Sequence, residues 1–208
     1  MNRRSLPPSP PAAGRAKPDR GTPAGATAGS VRIIGGHWRG TKLPVADLAG
    51  LRPTSDRVRE TLFNWLQPML PGARVLDLFA GSGALGLEAV SRGAREAVLV
   101  ERDPALAANL RHLAARLPDG DRVQVVCADA LAWLRDAPGV FDLAFVDPPF
   151  AANLWQPALD AVAGHLAGDA WLYVEAPHEA DAVPGADWQP HREGKTRDVR
   201  YAVYRRDA

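Results

Sequence analysis

The sequence is poor in cysteine and in metal-binding patterns. Cys127 is the only cysteine among 208 residues, which excludes an internal disulfide framework and favours a reducing compartment. The five histidines stand at no spacing typical of zinc ligands, so no metal site is expected.

Long hydrophobic runs are absent as well. No stretch approaches the roughly 18 apolar residues that a membrane helix needs. The basic amino-terminal residues are followed by prolines rather than by an apolar segment, so a signal peptide does not fit either. These absences predict a cytoplasmic protein without a membrane partner.

Large apolar side chains are scarce in residues 1–30, where only Met1 and Leu6 qualify and where six prolines and four glycines interrupt the chain. Such a segment cannot bury enough apolar surface to order itself, so we expect a disordered tail there. Residues 1–42 carry eight basic side chains against one acid, although the net charge of the whole chain is only +1. An arm that binds a polyanion and a solubilising tail both fit this asymmetry.

The rest of the sequence alternates strand and helix patterns. Short apolar runs typical of buried strands occupy residues 75–79, 97–100, 123–127, 141–146 and 170–174. Apolar residues at helical spacing follow Pro104 and surround Pro157. Because parallel strands need crossover helices, this alternation predicts an α/β fold with a doubly wound parallel sheet at about residues 73–205.

Three further elements are predicted outside these runs. Residues 32–34 and 42–45 flank a glycine-rich turn and predict a small hairpin. Residues 56–66 predict a helix capped by Ser55, and residues 198–205 predict a last strand. We therefore divide the chain into a tail (1–30), a hairpin-and-helix extension on the ligand side (31–70) and a main domain (71–208).

A glycine-rich turn follows the first predicted strand of the sheet. Gly81, Gly83 and Gly86 have the G-x-G-x-x-G spacing of dinucleotide-binding folds, and Glu101 stands where a ribose-binding acid is found. This spacing does not distinguish a dinucleotide from S-adenosylmethionine. Asp77 would repel a pyrophosphate but attract an ammonium and a sulfonium, which favours S-adenosylmethionine. Capping of backbone amides in the turn is the alternative role for Asp77.

Carboxylates follow four successive predicted strands, at Asp77, Glu101, Asp129 and Asp147. In an open parallel sheet these strand ends face one crevice where ligands bind, so we expect the four side chains to converge. Asp129 could accept a hydrogen bond from an adenine amino group or cap the following helix, and the sequence leaves both roles open.

The most specific motif is Asp147-Pro148-Pro149-Phe150, directly after an apolar run. The two prolines remove two backbone donors, so carbonyl groups and the Asp147 carboxylate remain as acceptors. The exocyclic amino group of a planar base would supply one hydrogen to Asp147 and one to the Pro148 carbonyl, and Phe150 would stack on the base. A rigid turn with Phe150 in the core is the alternative.

These motifs resemble those of class I S-adenosylmethionine-dependent methyltransferases, and within them the sequence is similar to the RsmD-type 16S ribosomal RNA guanine-N2 methyltransferases. The resemblance runs from about Val31 to Arg205 and includes long segments at residues 32–40, 51–66 and 79–89. It implies a Rossmann-like sheet of seven mostly parallel strands and a monomer without a metal. It also implies methylation of one guanine of 16S rRNA, in the small ribosomal subunit or its assembly intermediate.

The resemblance further implies roles for individual residues. The residues that would hold S-adenosylmethionine are Asp77, Phe79, Ala80, Gly81, Gly83, Glu101, Arg102, Asp129 and Ala130. The catalytic motif would be Asp147, Pro148, Pro149 and Phe150. Positive charge makes six residues candidates for RNA phosphate contacts: Arg32, Arg39, Lys42, Arg52, Arg57 and Arg59.

Three other functions fit part of the pattern. An enzyme of the same mechanism could methylate adenine N6 in DNA or a glutamine amide in protein. An oxidoreductase could bind a nicotinamide dinucleotide with the same glycines. A non-catalytic RNA-binding assembly factor could keep the fold. The hairpin and residues 52–66 favour ribosomal RNA among these.

Overall fold

The computed structural model describes Met1, residues 30–44 and residues 55–207. The predicted tail and Arg52 lie outside the described residues, except for Met1 and Ser30. The strands are β1 (Ser30–Arg32), β2 (Lys42–Pro44), β3 (Arg74–Asp77), β4 (Glu96–Glu101), β5 (Val123–Cys127), β6 (Phe141–Val146), β7 (Leu166–Pro177), β8 (Trp188–Lys195) and β9 (Val199–Arg206). The α-helices are α1 (Asp56–Leu66), α2 (Ala84–Ser91), α3 (Pro104–Ala114), α4 (Ala130–Leu134) and α5 (Trp155–Val162). No described helix is long and apolar enough to cross a membrane.

Seven strands form one sheet in the order β5-β4-β3-β6-β7-β9-β8, and β1 and β2 form a separate antiparallel hairpin. The first five strands in this order are parallel, whereas β9 pairs antiparallel with both β7 and the edge strand β8. The predicted α/β fold with a seven-stranded, mostly parallel sheet is thereby confirmed. The chain runs outward from β3 through β4 to β5 and then returns to β6, so the strand order reverses between β3 and β6.

Apolar side chains cover both faces of this sheet. Helices α1, α2 and α3 and the hairpin pack on one face, while α4 and α5 pack on the other. Successive residues of β6 alternate between the two cores: Phe145 joins the first and Ala144 the second. Burial on both faces explains why the central strands are nearly continuous apolar runs. Because the hairpin and α1 share a core with the sheet, the boundary near residue 70 stays a prediction.

Buried polar groups attach the hairpin to α2. The carboxylate of Glu88 is fully buried and accepts hydrogen bonds from the backbone amides of Ile34, at 2.6 Å, and Gly35, at 2.7 Å. Ser91 donates to the Gly35 carbonyl at 2.6 Å and accepts from the Trp38 amide at 2.9 Å. These contacts satisfy backbone groups of the turn and fix the hairpin against the helical layer.

Helix α1 has the predicted bounds and the predicted cap, since the Ser55 side chain accepts from the Val58 amide. Strand β8, in contrast, was not predicted. Its residues are mostly exposed, it contains Pro190, and its pairing register shifts between Pro190 and Arg192. An edge strand borders solvent along one side and tolerates proline, so neither an apolar run nor regular alternation marks it in the sequence.

Candidate active site

The four predicted acids lie on neighbouring strands at one edge of the sheet. The order β5-β4-β3-β6 brings together Asp129, Glu101, Asp77 and Asp147, which end or follow these strands. Strand order reverses between β3 and β6, and the crevice at such a reversal is where open parallel sheets bind ligands. Asp77 and Asp147 therefore flank the place where the fold favours a ligand.

Asp77 is buried, with only 3% of its surface exposed. Its Oδ2 atom accepts a 2.9 Å hydrogen bond from the Gly86 amide in α2, so the capping role left open by the sequence is present. Desolvation by burial, together with the smaller effect of the Glu101 charge, raises the pKa of Asp77 to about 7, although hydrogen bonds from the Gly86 and Phe79 amides oppose the shift. A cation beside Asp77 would restore the ionised form, so the site suits a positively charged ligand.

Glu101 fixes the glycine-rich turn from the neighbouring strand. Its Oε2 accepts from the Gly81 amide and its Oε1 from the Asp103 amide, both at 2.8 Å. A carboxylate has about four lone-pair positions, so two amides leave acceptor capacity for ribose hydroxyls. Glu101 is half-buried, and its outer edge remains available for a ligand.

The glycines of the turn are required by backbone shape and by packing. Gly83 caps α2 with a φ of 75°, and a Cβ there would lie 2.6 Å from the side chain of Leu110. A Cβ on Gly86 would lie 2.6 Å from Leu99 and 3.1 Å from the Asp77 carboxylate. The turn therefore brings the start of α2 close to β4 and lets backbone amides approach a ligand.

The remaining predicted cofactor residues surround this turn. Phe79 is half-buried, Ala80 is buried and donates its amide to the Val100 carbonyl at 2.9 Å, and Arg102 is exposed. Asp129 is exposed and caps α4, because its Oδ1 accepts from the Ala132 amide at 2.9 Å. The helix-cap role of Asp129 is thus present, and a contact with adenine stays a prediction.

The Asp147-Pro148-Pro149-Phe150 corner directly follows β6. Asp147 is half-buried, Pro148 is buried and Pro149 is exposed. The side chain of Phe150 is 42% exposed, so the alternative that placed it in the core is wrong. Its ring centroid lies 6.0 Å from that of Trp155 at an interplanar angle of 50°. The corner therefore presents an aromatic face to solvent beside a half-buried carboxylate.

Trp155 and Tyr173 support this corner, and neither was singled out as a site residue from the sequence. The Trp155 indole donates to the Glu175 carbonyl at 2.7 Å, which joins α5 to the end of β7. The Tyr173 hydroxyl donates to the Glu175 carboxylate at 2.6 Å. Burial raises the pKa of Tyr173 well above its usual value, and the charges of Glu175 and Asp147 act in the same direction. Tyr173 therefore remains a neutral donor next to the candidate catalytic acid.

Only some of the predicted phosphate contacts are on the surface. Arg32, Arg39, Lys42 and Arg57 are exposed, whereas Arg59 is fully buried. One Arg59 terminal nitrogen donates to the Arg32 carbonyl at 2.6 Å and to Asp56 at 2.8 Å. The prediction for Arg59 is wrong because the hairpin covers the side of α1 that an isolated helix would expose. Among the described residues, no group of three or more His, Cys, Asp or Glu side chains could hold a metal ion.

A family model and individual relatives both match most of the chain. The family described as "Conserved hypothetical protein 95" matches residues 31–205. The chain is 48% identical over 184 residues to ribosomal RNA small subunit methyltransferase D of Escherichia coli strain K12, covering 86% of this chain and 92% of the relative. It is 40% identical over 181 residues to the Haemophilus influenzae protein of the same name, covering 85% and 94%.

A solved structure extends this similarity to the fold. The Escherichia coli protein yhhF, classed provisionally as a methyltransferase, superposes with a TM-score of 0.78 at 46% sequence identity. The superposition covers 86% of this chain and 99% of yhhF.

Proposed function

Because the chain belongs to the Conserved hypothetical protein 95 family, which is the RsmD family, we propose that it methylates the exocyclic N2 of one guanine in 16S rRNA, with S-adenosylmethionine as the methyl donor. The substrate is the small ribosomal subunit or an assembly intermediate, and the enzyme acts as a cytoplasmic monomer. The observation that carries this proposal is the exposed Phe150 ring on the acceptor-rich corner after β6, one strand from the buried Asp77.

The acidic edge suits S-adenosylmethionine. Burial raises the pKa of Asp77 to about 7, and a ligand with ammonium and sulfonium charges would favour its ionised form. Glu101 retains acceptor capacity for ribose hydroxyls, and Asp129 and Ala130 lie at the start of α4, where an adenine ring would be held. Phe79, Ala80, Gly81, Gly83 and Arg102 complete the proposed cofactor site. Once bound, S-adenosylmethionine supplies an electrophilic methyl group and departs as S-adenosylhomocysteine.

The residues of the corner orient the guanine. The Asp147 carboxylate accepts one N2 hydrogen and the Pro148 carbonyl accepts the other, so the nitrogen lone pair is directed out of the base plane toward the methyl carbon. Pro149 stiffens the corner and contributes no amide donor that would compete with the base for these acceptors. Phe150 stacks on the flat face of the base, as aromatic side chains do with unstacked nucleotides.

The same groups stabilise the charge that develops during transfer. Positive charge grows on N2 as its bond to the methyl carbon forms and the carbon–sulfur bond breaks. Two fixed acceptors at that nitrogen favour this charge by a few kcal/mol, an effect typical of preorganised sites. Asp147 is our candidate for accepting the proton that N2 then loses. Positioning of the base contributes the rest of the rate enhancement.

The basic surface would hold the RNA. Arg32, Arg39, Lys42 and Arg57 are exposed on the hairpin and α1, and Arg52 is included from the sequence. Lysine and arginine contacts with phosphates supply salt-dependent affinity that carries little sequence information. Selection of one guanine therefore depends on the corner and on the shape of the ribosomal particle.

Methyl transfer from labelled S-adenosylmethionine to small subunits that lack the modification tests the proposal. We expect N2-methylguanosine in a nuclease digest analysed by mass spectrometry, and a decrease of about a hundredfold or more for Asp147→Ala. Asp136→Ala removes an exposed acid elsewhere and should leave activity unchanged. N6-methyladenine as the only product, or full activity of Asp147→Ala, would overturn the proposal.

Ligand binding separates the proposal from the oxidoreductase alternative. S-adenosylhomocysteine should raise the melting temperature of the protein, whereas NAD should leave it unchanged, since only a ligand of the folded state stabilises it. A protein that binds 16S rRNA but neither the cofactor nor its product would instead be a non-catalytic assembly factor.

A further inference from the structure

A cleft of about 380 Å³ lies between the start of α1 and the loop that joins β8 to β9. The described residues that line it are Ser55, Arg57, Val58, Thr61, Lys195, Thr196 and Tyr201. Two of these side chains are cationic and none is acidic. The Thr61 and Thr196 hydroxyls donate to the carbonyls of Arg57 and Val199, whereas the Ser55 hydroxyl accepts from the Val58 amide and keeps its own hydrogen for a ligand. A cleft of this composition selects an anion with several oxygen acceptors, which is the chemistry of a phosphate group.

The two cations are exposed and come from distant parts of the sequence. Arg57 lies in the first turn of α1, and Lys195 is the last residue of β8. Within residues 30–44 and 55–207, neither forms a salt bridge. Both charges therefore remain available for a partner outside this part of the chain.

A ring stack and loop hydrogen bonds hold the walls of the cleft in place. Tyr201 stacks on Trp65 of α1, with ring centroids 5.8 Å apart and an interplanar angle of 27°, which joins β9 to the helix. The loop is closed by the Thr196 amide, which donates to the Val199 carbonyl at 2.8 Å, and by Thr196 Oγ1, which accepts from the Val199 amide at 3.2 Å. A preformed site loses little conformational entropy when it binds a ligand.

The topology places this cleft beside the corner after β6. Val174 of β7 pairs with Val146, the residue before Asp147, and Glu175 pairs with Tyr201 of β9. Because neighbouring strands are about 4.8 Å apart, Tyr201 lies roughly 10 Å from the line of β6 along the same edge. A nucleic acid strand with one base at the corner can therefore bring the phosphate of a neighbouring nucleotide to the cleft.

We infer that this cleft binds a backbone phosphate of the RNA next to the target guanine, with Lys195 and Arg57 as its charged contacts. The inference rests on the proposed function and adds the β8–β9 loop to the RNA-binding surface. The bound phosphate then fixes the position of the RNA backbone relative to the corner, so it helps to place the guanine at Phe150.

Binding without methyl donor tests the inference independently of catalysis. Labelled small subunits are titrated with wild type, Lys195→Ala, Arg57→Ala and the double variant at several potassium chloride concentrations. Each single variant should bind on the order of tenfold more weakly, as expected for one charge-assisted hydrogen bond. The slope of log affinity against log salt should fall by about 0.7 for each lost contact with single-stranded RNA.

Control variants separate this site from general charge effects. Arg116→Ala removes an exposed cation just after α3, which packs on β5 and β4, on the side of the sheet away from β8 and β9, and should leave affinity and slope nearly unchanged. Lys195→Arg should retain most of the affinity. In the methylation assay, Lys195→Ala should raise KM for the subunit and leave the affinity for S-adenosylmethionine unchanged.

The possible results distinguish failure of the phosphate site from failure of the proposed function. The inference is overturned if Lys195→Ala and Arg116→Ala change the affinity and the salt slope by the same amount, or if every variant has the salt slope of wild type. Absence of methyl transfer by wild type, together with a Lys195-dependent salt slope, would overturn the proposed function and leave the phosphate site supported.

Discussion

The carboxylate of Glu88 on α2 accepts a 2.6 Å hydrogen bond from the backbone amide of Ile34 in the hairpin. It also lies next to two arginines: Arg92, at 2.7 Å, and the buried Arg59, at 3.7 Å. One buried acid thus joins the amino-terminal hairpin, α1 and the helix that follows the glycine-rich turn. The surface that we propose for RNA is fixed to the proposed cofactor site through this residue.

Replacement of Glu88 by glutamine should therefore destabilise the protein. The variant keeps the size of the side chain but places an amide donor near backbone donors, and it leaves the buried Arg59 charge with only the exposed Asp56 carboxylate beside it. Breaking a buried ion pair of this kind costs about 3 kcal/mol, which urea unfolding would measure. Glu96→Gln, at an acid that is 42% exposed, should cost less than about 1 kcal/mol. Equal losses for the two variants would contradict the role of Glu88.

The raised pKa of Asp77 predicts a dependence of stability on pH. The folded-state pKa of about 7 exceeds the ordinary value of 3.8, so the stabilising contribution of this group is complete below pH 4 and is lost as the pH rises to about 7. Asp77→Asn cannot ionise and keeps an oxygen for the Gly86 amide. Its unfolding free energy should exceed that of wild type by a few kcal/mol at pH 8 and by little at pH 4.

Chemical unfolding at several pH values from 4 to 8 measures this difference. Asp169→Asn, at an exposed position, is the matched control and should show no comparable trend. A difference between wild type and Asp77→Asn that is constant with pH would show that Asp77 does not titrate in this range.

Ionisation of Asp77 should also control cofactor selection. S-adenosylmethionine carries a sulfonium charge that S-adenosylhomocysteine lacks, and ionised Asp77 favours that charge. Between pH 6 and pH 8 the affinity ratio of the two ligands should rise by about tenfold at most, the change in ionised fraction for a pKa near 7. Isothermal titration calorimetry would measure both affinities. The ratio for Asp77→Asn should be flat, and a flat ratio for wild type would remove Asp77 from the proposed sulfonium site.

Phe150 should matter for catalysis and not for folding. Its side chain is 42% exposed, so Phe150→Ala should change the unfolding free energy by less than about 1 kcal/mol. Loss of stacking on one base should lower kcat/KM about ten- to a hundredfold, whereas Phe150→Trp should retain most activity. Val183→Ala removes another exposed apolar side chain and serves as the control. Unchanged kinetics for Phe150→Ala would show that the base binds elsewhere.

Substitution of two glycines with positive φ distinguishes the stability cost of backbone strain from the cost of overpacking. Gly83 and Gly40 have φ values of 75° and 86°, but only Gly83 has a neighbour, Leu110, within contact distance of an added Cβ. Gly40→Ala should therefore cost about 1 kcal/mol of stability from strain alone. Gly83→Ala should cost about 3 kcal/mol, because overpacking adds to the strain. Comparable melting temperatures for the two variants would show that the turn adjusts freely.

Local patterns in the sequence were sufficient for most of the fold. Central strands that are buried on both faces are continuous apolar runs, and helices repeat apolar side chains every 3.6 residues. Helix caps act over three residues, so α1 and its Ser55 cap were predicted correctly. Strand β8 was not predicted because an exposed edge strand has no apolar period. Arg59 was misplaced because the hairpin that buries it is remote in the sequence.

The sequence by itself determined the alternating α/β pattern, the glycine-rich turn and the chemistry of the strand ends, because each depends on residues that are neighbours in the chain. Only the tertiary structure decided that Glu88 holds the hairpin, that Arg59 is buried, and that Lys195 and Arg57 line one cleft. These features depend on contacts between segments tens of residues apart. Such contacts are selected by packing of the whole chain, which no local pattern specifies.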